Sequence, residues 1–404
     1  MIVNSKAIRS VVGLLGPAFV AAIAYVDPGN FATNLSAGSR YGYLLLWVIV
    51  VANLMASLVQ YLSAKLGLVT GQSLPEIVRE HLSEKARISY WFQAELAAVA
   101  TDIAEVLGGA IALELLFNLP LILGGIITGA VSMMLLLIHG QRGQKTFERI
   151  TFGLMLIIPI GFITGLVIRP PHATSLLHGL LPMFQGQNSV LLAVGILGAT
   201  VMPHVIYLHS ALARDRHGKV EKNKLSRLIK ITRIDVGIAM LIAGGVNIAM
   251  LLLAASALRG VASTDTLVGA HQAISNHISP VVATLFAIGL LASGLASTAV
   301  GCYAGSVVMG GLLKRQVSLF VRRLITLVPA LLIIAVGIDP TKALILSQVV
   351  LSFAIPFAIV PLVRATTNKK LMGDFVNSNS TTILAWSITG VIVALNVFLI
   401  VLTI

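Results

Sequence analysis

The sequence contains little charge and almost no cysteine. Only 11% of its 404 residues are charged, whereas 57% are hydrophobic, and the mean hydropathy is +0.95. This composition excludes a soluble protein of this length and is typical of a polytopic membrane protein. The single cysteine, Cys302, lies in an apolar segment, which excludes an intramolecular disulfide and a cysteine-based zinc site.

Signatures of nucleotide-driven or covalent chemistry are also lacking. The sequence has no phosphate-binding loop, dinucleotide fingerprint or nucleophile–base pattern, so neither ATP-driven pumping nor a bound cofactor is predicted. Lys and Arg outnumber Asp and Glu by 28 to 15, giving a net charge of +13. Because these residues lie in short loops, membrane topology explains them better than a nucleic-acid partner does. No obligate protein partner is predicted.

Eleven apolar segments are long enough to cross a bilayer, which predicts an all-α polytopic membrane protein with one transmembrane domain over residues 1–404. The longest loops predicted on the outer side are 169–188 and 258–279. The predicted spans are 11–37, 43–66, 89–116, 120–138, 150–168, 189–212, 232–257, 280–312, 319–337, 341–363 and 381–403.

The distribution of positive charge predicts the orientation of these spans. If the N-terminus is cytoplasmic, 24 of the 28 Lys and Arg residues lie on the inner side, the densest group in an inner loop at 214–233. Such an asymmetry predicts a cytoplasmic N-terminus and, with eleven spans, an external C-terminus. The four basic residues left on the outer side are Arg40, Arg169, Arg259 and Lys342.

The first span is interrupted by Asp27-Pro28-Gly29-Asn30. Proline removes a backbone donor and clashes with the preceding turn, and glycine relaxes the backbone, so the helix is predicted to unwind here. Unwound backbone at membrane depth is tolerated where it lines a cavity or binds a ligand. Lys6 and Arg9 before this span resemble the start of a cleavable signal peptide. We expect the helix to be retained, because it supplies the first half of the broken span.

The sixth span is interrupted in the same way, at Met202-Pro203-His204. Broken helices at corresponding places in two halves of a chain mark the binding site of many secondary transporters. Breaks in spans one and six imply a repeat of five helices, and an odd number inverts the second unit. The predicted architecture is a 5+5 inverted repeat, about 11–168 and 189–363, followed by an eleventh helix at about 381–403.

The side chains at the two breaks suit a divalent metal ion. Asp27 and Asn30 offer a carboxylate and an amide oxygen, and free carbonyls are expected near Ala199 and near Tyr25 or Val26. Met202 adds a thioether, which favours Mn²⁺, Fe²⁺ and later transition metals over Mg²⁺ or Ca²⁺. Taken alone, the motif could also be a structural kink in which Asp27 caps the second half-helix. In the tenth span, Gln348 could supply an amide oxygen or a helix–helix hydrogen bond.

Polar residues elsewhere in the spans suggest a proton path. Glu95, Asp102 and Glu105 share one face of the third span, and acids stacked on a membrane helix most often mark a proton or ion route. The alternative is a set of structural ion pairs with Arg322 and Arg323 at the start of the ninth span. Both readings can hold together. The histidines of the sixth span are less decisive, since five residues separate them and they cannot both face one ion: His204 beside the break, and His209.

These motifs resemble the Nramp (natural resistance-associated macrophage protein) family, specifically its bacterial proton-dependent manganese transporters. The resemblance covers essentially the whole chain and rests on the two breaks, Gly198-Ala199, Gln348, and Thr101-Asp102 with Ala104-Glu105. It implies a LeuT-like fold in the bacterial plasma (inner) membrane, and cotransport of Mn²⁺ or Fe²⁺ with H⁺ into the cytoplasm. Many family members have Asn at the position of Val205 in this chain.

The resemblance also implies roles for individual residues. Members that handle Mg²⁺ lack the methionine that this chain has at Met202. The implied metal ligands are Asp27, Asn30, Met202, the Ala199 carbonyl and, in some states, Gln348. The implied proton route runs through Asp27, His204, Asp102, Glu105, Glu95, Arg322 and Arg323, and His209 is expected to line the inner half of its helix.

Three other classes of protein remain as alternatives on the residues alone. A Na⁺-coupled amino-acid transporter of the same fold would have to accept substrate repulsion by Asp27 and would leave Met202 without a role. An intramembrane metalloenzyme would need a third strong ligand and a general base. A channel would move metal without coupled H⁺ flux.

Overall fold

The computed structural model describes residues 16–142, 144–218, 220–314 and 318–403, and within these ranges the regular elements are all helices. Lys6, Arg9, residues 11–15 of the first predicted span and Lys219 lie outside the described residues. The helices are α1 (Pro17–Ala24), α2 (Pro28–Tyr41), α3 (Leu46–Thr70), α4 (Leu74–Glu80), α5 (Glu84–Phe117), α6 (Leu121–Arg142), α7 (Gln144–Ile168), α8 (Ala173–Gly179), α9 (Gly186–Thr200), α10 (Pro203–His217), α11 (Lys222–Ala257), α12 (Leu267–His277), α13 (Pro280–Leu313), α14 (Leu319–Val336), α15 (Pro340–Thr367), α16 (Lys369–Met372), a 3-10 turn (Gly373–Phe375) and α17 (Asn379–Thr403).

Each predicted span coincides with a helix or, in two cases, with a pair of half-helices. The first span is α1 with α2, and the sixth is α9 with α10. Among the described residues, seven helical segments are long and apolar enough to cross a membrane. One of the seven is the pair α9 and α10 taken as one segment. Shorter apolar helices cover Leu121–Leu135 and Phe152–Ile168. The chain is therefore an all-α, multi-pass membrane protein, as predicted.

Several helices extend beyond the predicted spans at their basic ends. The loop predicted at 214–233 is wrong: α10 continues to His217, and α11 already begins at Lys222. Hydropathy detects the segment that lies in lipid, whereas Lys and Arg are good helix formers and carry the helix into the aqueous layer. The two outer loops likewise contain α8 and α12.

Proline sets both helix breaks. Pro28 is the first residue of α2 and Pro203 is the first residue of α10, positions where proline is favoured because its N–H is not needed. Before each proline the backbone is extended, at Asp27 (φ −77°, ψ 170°) and at Met202 (φ −67°, ψ 121°). Both spans therefore end and restart within a few residues, inside the protein and not at its surface.

The broken helices lie at the centre of the bundle. Helix α2 packs against α11, α9 packs against α15, and α10 packs against α3, while α13 packs against both α5 and α7. Helix α5 approaches the first break closely: a Cβ added to Gly108 would lie 2.1 Å from the Pro28 Cβ. Only a residue without a side chain fits at position 108, so α5 is held directly against the break.

A charged cluster outside the spans connects α4 to the end of α10. Glu76 accepts hydrogen bonds from the Ser73 N–H (2.6 Å) and the Ser73 hydroxyl (2.8 Å), and it is ion-paired with Arg214. Burial alone would raise the pKa of Glu76, but the bonds from Ser73 and the charge of Arg214 outweigh it and lower that pKa. The Ser210 hydroxyl also accepts from the Leu74 N–H (2.9 Å), so α4 is fastened to the second half of the broken sixth span.

The contact between Gly108 and Pro28 gives a prediction about stability. We expect Gly108→Ala to lower the free energy of unfolding by about 1–3 kcal/mol, because the new methyl group overlaps the proline ring. The measurement is the thermal unfolding midpoint in detergent.

The matched control is Gly153→Ala in α7, where an added Cβ has nothing within 4 Å. There the higher helix propensity of alanine should leave stability unchanged or raise it by up to about 1 kcal/mol. Equal midpoints for the two variants would show that α5 and the first break do not pack as described.

Candidate metal centre

The Ala199 carbonyl has no hydrogen bond within its own helix, because the residue four positions later is a proline. In a continuous helix this oxygen would accept from the N–H of residue 203, and Pro203 has none. Its hydrogen bond comes instead from the Asn30 side chain, whose Nδ2 donates to it at 3.0 Å. Pro203 thus leaves the Ala199 carbonyl free of its helical donor, and this carbonyl accepts instead from the first break.

Asp27 is held at the same place by the start of α2. Its carboxylate caps the helix, with Oδ1 accepting from the Asn30 backbone N–H at 2.7 Å. The Asn30 Nδ2 also donates to Asp27 Oδ1, at 2.8 Å. The Asn30 amide nitrogen therefore donates to both the Asp27 carboxylate and the Ala199 carbonyl. The two acceptor oxygens thus face the same partially positive NH₂ group, which lies between them.

Gln348 of α15 completes this cluster. Its Nε2 lies 3.4 Å from Asp27 Oδ2 and 3.3 Å from the Ser347 hydroxyl. The side chain lies over Gly29, where an added Cβ would be 1.9 Å from Nε2. Asp27, Asn30 and Gln348 are all 0% exposed, and the Asn30 Oδ1 and Gln348 Oε1 atoms have no hydrogen-bond partner among the described residues. Two buried amide oxygens without donors are thus available beside a carboxylate and a carbonyl.

Met202 lies between the two halves of the sixth span. It is fully buried and immediately precedes α10, three residues after Ala199. Within the described ranges, no group of three or more His, Cys, Asp or Glu residues is arranged to hold a metal ion. The cluster at the breaks combines one carboxylate with amide and carbonyl oxygens, and Met202 adds a thioether at the same break, a donor set that fits a divalent ion.

The expectation of free carbonyls in the first break is wrong. The Tyr25 carbonyl accepts from the Asn247 amide at 2.7 Å, and the Val26 carbonyl accepts from the Ser293 hydroxyl at 2.6 Å. Polar side chains of α11 and α13 therefore satisfy the backbone that the break exposes. These bonds come from helices outside the two breaks, whereas the bond to the Ala199 carbonyl comes from Asn30 of the cluster itself.

The acidic residues of α5 lie beside basic ones. Asp102 is 3.2 Å from Arg323 Nη1, and Glu95 is 2.7 Å from Arg322 Nη2. Asp102 and Arg323 are almost completely buried, whereas the Glu95 side chain is 20% exposed. Glu105, also buried, lies against Gly301 of α13, at which an added Cβ would be 3.1 Å from Oε1. The row of acids thus runs from the protein surface into the interior next to the first break.

The two histidines belong to separate hydrogen-bond groups. His204 Nδ1 is 3.2 Å from the Thr101 hydroxyl of α5, which places the start of α10 one residue from Asp102. His209 Nδ1 is 2.8 Å from Gln60 Oε1, and the Gln60 amide donates to the Tyr25 hydroxyl. His204 therefore faces the acidic helix, and His209 faces α3 and the end of α1.

Several of these partners were not predicted from the sequence. They are polar residues inside largely apolar helices, and that position is the signal that could have revealed them, because a polar side chain in a membrane helix needs a partner. The residues missed in this way are Gln60, Ser132, Asn247, Ser293 and Asp235. Ser132 accepts from Arg323 Nε at 2.9 Å, and Asp235 accepts from the Gly16 and Ala18 N–H groups at 3.3 Å each.

Structural comparison identifies the fold. The crystal structure of MhsT in complex with L-phenylalanine superposes with a TM-score of 0.64 at 12% identity, covering 96% of this chain and 98% of that one. This similarity shows a LeuT-like fold, a 5+5 inverted repeat with an additional helix. The fold alone does not specify a role; that the protein is a multi-pass membrane transporter and not an enzyme follows from its relatives at higher sequence identity.

Sequence comparison then identifies the family. The model for natural resistance-associated macrophage protein-like (Nramp) sequences matches residues 18–402. The divalent metal cation transporter MntH of Mycobacterium tuberculosis is 58% identical over 392 residues, 97% of this chain and 92% of that protein. A crystal structure of the Eremococcus coleocola manganese transporter has a TM-score of 0.88 at 32% identity, covering 98% of this chain and 88% of that one. The chain belongs to the Nramp family.

Proposed function

We propose that the protein imports divalent transition metals, Mn²⁺ first and also Fe²⁺, into the cytoplasm together with H⁺ by alternating access. The observation that carries this proposal is the convergence of the Asp27 carboxylate, the Ala199 carbonyl and two donor-free amide oxygens at the meeting point of the two broken helices. The names of the M. tuberculosis and E. coleocola relatives support metal as the cargo.

The metal binds between the two half-helix breaks. Asp27 supplies the negative charge and the Ala199 carbonyl a second oxygen. Asn30 and Gln348 turn their amide groups, which direct nitrogens at these acceptors in the structure, so that the oxygens face the ion. Met202 supplies the thioether that favours transition metals over alkaline earths.

The protons leave the metal site along α5. Asp27 releases its proton as metal binds, and His204, Asp102, Glu105 and Glu95 provide the buried polar groups between the first break and the surface. Arg322 and Arg323 hold the charge of Glu95 and Asp102 in a nonpolar environment, where an unpaired carboxylate is costly. His209, with Gln60 and Tyr25, lies on the opposite side of the half-helix α10 and lines its inner half.

Orientation follows from the positive charges. With the basic ends of the helices in the cytoplasm, the N-terminus is inside, the C-terminus is outside and the protein resides in the bacterial plasma membrane. The half-helices α1 and α10 then lead from the site to the cytoplasm, and α2 and α9 lead outward. Rocking of these halves about the two breaks opens the site to each side in turn.

The proposed ligands predict metal selectivity. In proteoliposomes, Mn²⁺ uptake should be abolished in Asp27→Ala, because no other carboxylate lies in the cluster. Met202→Ala should retain Mn²⁺ uptake while Ca²⁺ becomes an effective competitor, with a gain in apparent Ca²⁺ affinity of about tenfold or more relative to Mn²⁺. Met155→Ala, which removes another buried methionine, is the control. Normal uptake by Asp27→Ala would contradict the site.

The proposed role of the Ala199 carbonyl predicts that restoring one backbone N–H weakens metal binding. Pro203→Ala restores an N–H four residues after Ala199, allowing it to occupy that oxygen. We expect Mn²⁺ affinity, measured by isothermal titration calorimetry, to fall about tenfold as one ligand is lost. Pro340→Ala, at the first residue of α15 away from the site, should leave affinity unchanged. Unchanged affinity in Pro203→Ala would exclude the Ala199 carbonyl as a ligand.

The acidic residues of α5 predict that a substitution there can reduce proton flux without an equal loss of metal flux. Asp102→Asn should reduce Mn²⁺-driven acidification of the vesicle lumen much more than Mn²⁺ uptake. Because this change leaves Arg323 buried without its partner, at a cost of about 3–5 kcal/mol, the double variant Asp102→Asn/Arg323→Gln is tested beside it. If wild-type protein moves Mn²⁺ without acidifying the lumen, the proposed coupling is wrong while the metal site can still stand.

A further inference from the structure

A cavity that plays no part in the proposed transport path lies at the basic end of the bundle, between α3, α11 and the start of α17. Its volume is about 440 Å³. Lys65 and Arg233 line it, together with the hydroxyls of Tyr61, Ser57, Ser378 and Thr381, and no carboxylate does. The cavity therefore combines two positive charges with several hydroxyl groups, the set of donors that a phosphate group requires.

Both cations keep donors for a ligand. The Lys65 ammonium donates to Asn377 Oδ1 at 2.9 Å, and the residue is only 7% exposed. The Arg233 guanidinium lies over the Tyr61 ring, 5.9 Å from its centroid, as in a cation–π contact. Among the described residues, neither Lys65 nor Arg233 has a carboxylate within 4.0 Å. The nearest acid along α11, Asp235, is directed to the N–H groups at the start of α1.

The surface that leads away from the cavity is apolar. On α11, Ile234, Ile238 and Leu241 are 54%, 42% and 73% exposed, and on α3 Leu54 is 66% exposed. Leu54, Leu58 and Lys65 share one face of α3, so this apolar surface runs directly from the cavity toward the middle of the membrane. A molecule with a phosphate at one end and hydrocarbon chains at the other matches both parts.

Gly237 opens the cavity. It lines the cavity wall on α11, is exposed, and has nothing within 4 Å of an added Cβ. A side chain at this position would thus start in open space on the cavity wall, without a clash in the helix packing. Gly237 is therefore a position at which a large side chain can be used to fill the cavity.

We propose that this cavity binds the headgroup of an anionic phospholipid, with the phosphate between Lys65 and Arg233 and the acyl chains along Leu54, Ile234, Ile238 and Leu241. Basic pockets between transmembrane helices at the cytoplasmic side recognise anionic headgroups in this way. The proposal is independent of the metal site, because none of the cavity residues belongs to it.

The test is equilibrium lipid binding to the purified full-length protein, followed by native mass spectrometry. Phosphatidylglycerol is compared with phosphatidylcholine carrying the same acyl chains, and inorganic phosphate and glycerol phosphate are added as competitors. We expect one phosphatidylglycerol to bind preferentially. Lys65→Gln/Arg233→Gln should weaken its binding by about 25-fold, at about fivefold for each cation. Gly237→Trp should weaken it to the level of phosphatidylcholine.

Two matched variants separate the cavity from the general surface. Lys222→Gln/Lys230→Gln removes two exposed charges from α11 outside the cavity, and Gly245→Trp adds the same side chain at an exposed, uncrowded glycine two turns further along. Both should bind phosphatidylglycerol like the wild type.

Three results would overturn the proposal. Equal binding of the two lipids would show that only the apolar surface matters. Equal losses in the cavity and surface charge variants would show a diffuse effect of charge. Competition by millimolar inorganic phosphate, with no contribution from the acyl chains, would show a site for free phosphate and not for lipid.

Discussion

The structure depends on two backbone donors that proline removes inside the membrane. A membrane helix normally satisfies its own carbonyls, and any that it leaves free must find another partner. Pro28 and Pro203 each interrupt that arrangement at the centre of the bundle. The exposed carbonyls find different hydrogen-bond partners at the two breaks. In the first span, Asn247 and Ser293 take the exposed carbonyls, whereas in the sixth span the Ala199 carbonyl is left to the Asn30 side chain. Under the proposed function, this asymmetry favours the Ala199 carbonyl as the backbone ligand.

The same asymmetry separates this protein from others of its fold. A LeuT-like carrier that holds a carboxylate would use the N–H groups at the start of α2, but here the Asp27 carboxylate already accepts from the Asn30 N–H. An anionic substrate would meet a negative charge at that position, while a cation meets oxygens. The fold alone therefore does not specify the cargo, and the side chain that caps one half-helix largely does.

Much of the fold was predictable because lipid imposes simple rules on sequence. Spanning length and a proline near the middle of spans one and six predicted the helices and the two pairs of half-helices correctly. The ends of α10 and α11 were missed, since charged residues continue a helix as well as they end a membrane segment. At the site, Asp27, Asn30 and Gln348 were recognisable as polar groups at depth. Their pairing was not, nor was the use of Asn247 and Ser293 as partners, because which helices touch is set by packing between distant parts of the chain.

The contact between Gly108 and Pro28 also bears on how this sequence can change over time. Any side chain at position 108 overlaps the proline ring, and a smaller residue at position 28 would restore the backbone donor whose absence breaks the helix. Changing either position first costs packing or alters the helix break, so the two residues constrain each other. A position outside the proposed metal cluster is thus restricted by the shape of the helix break beside it.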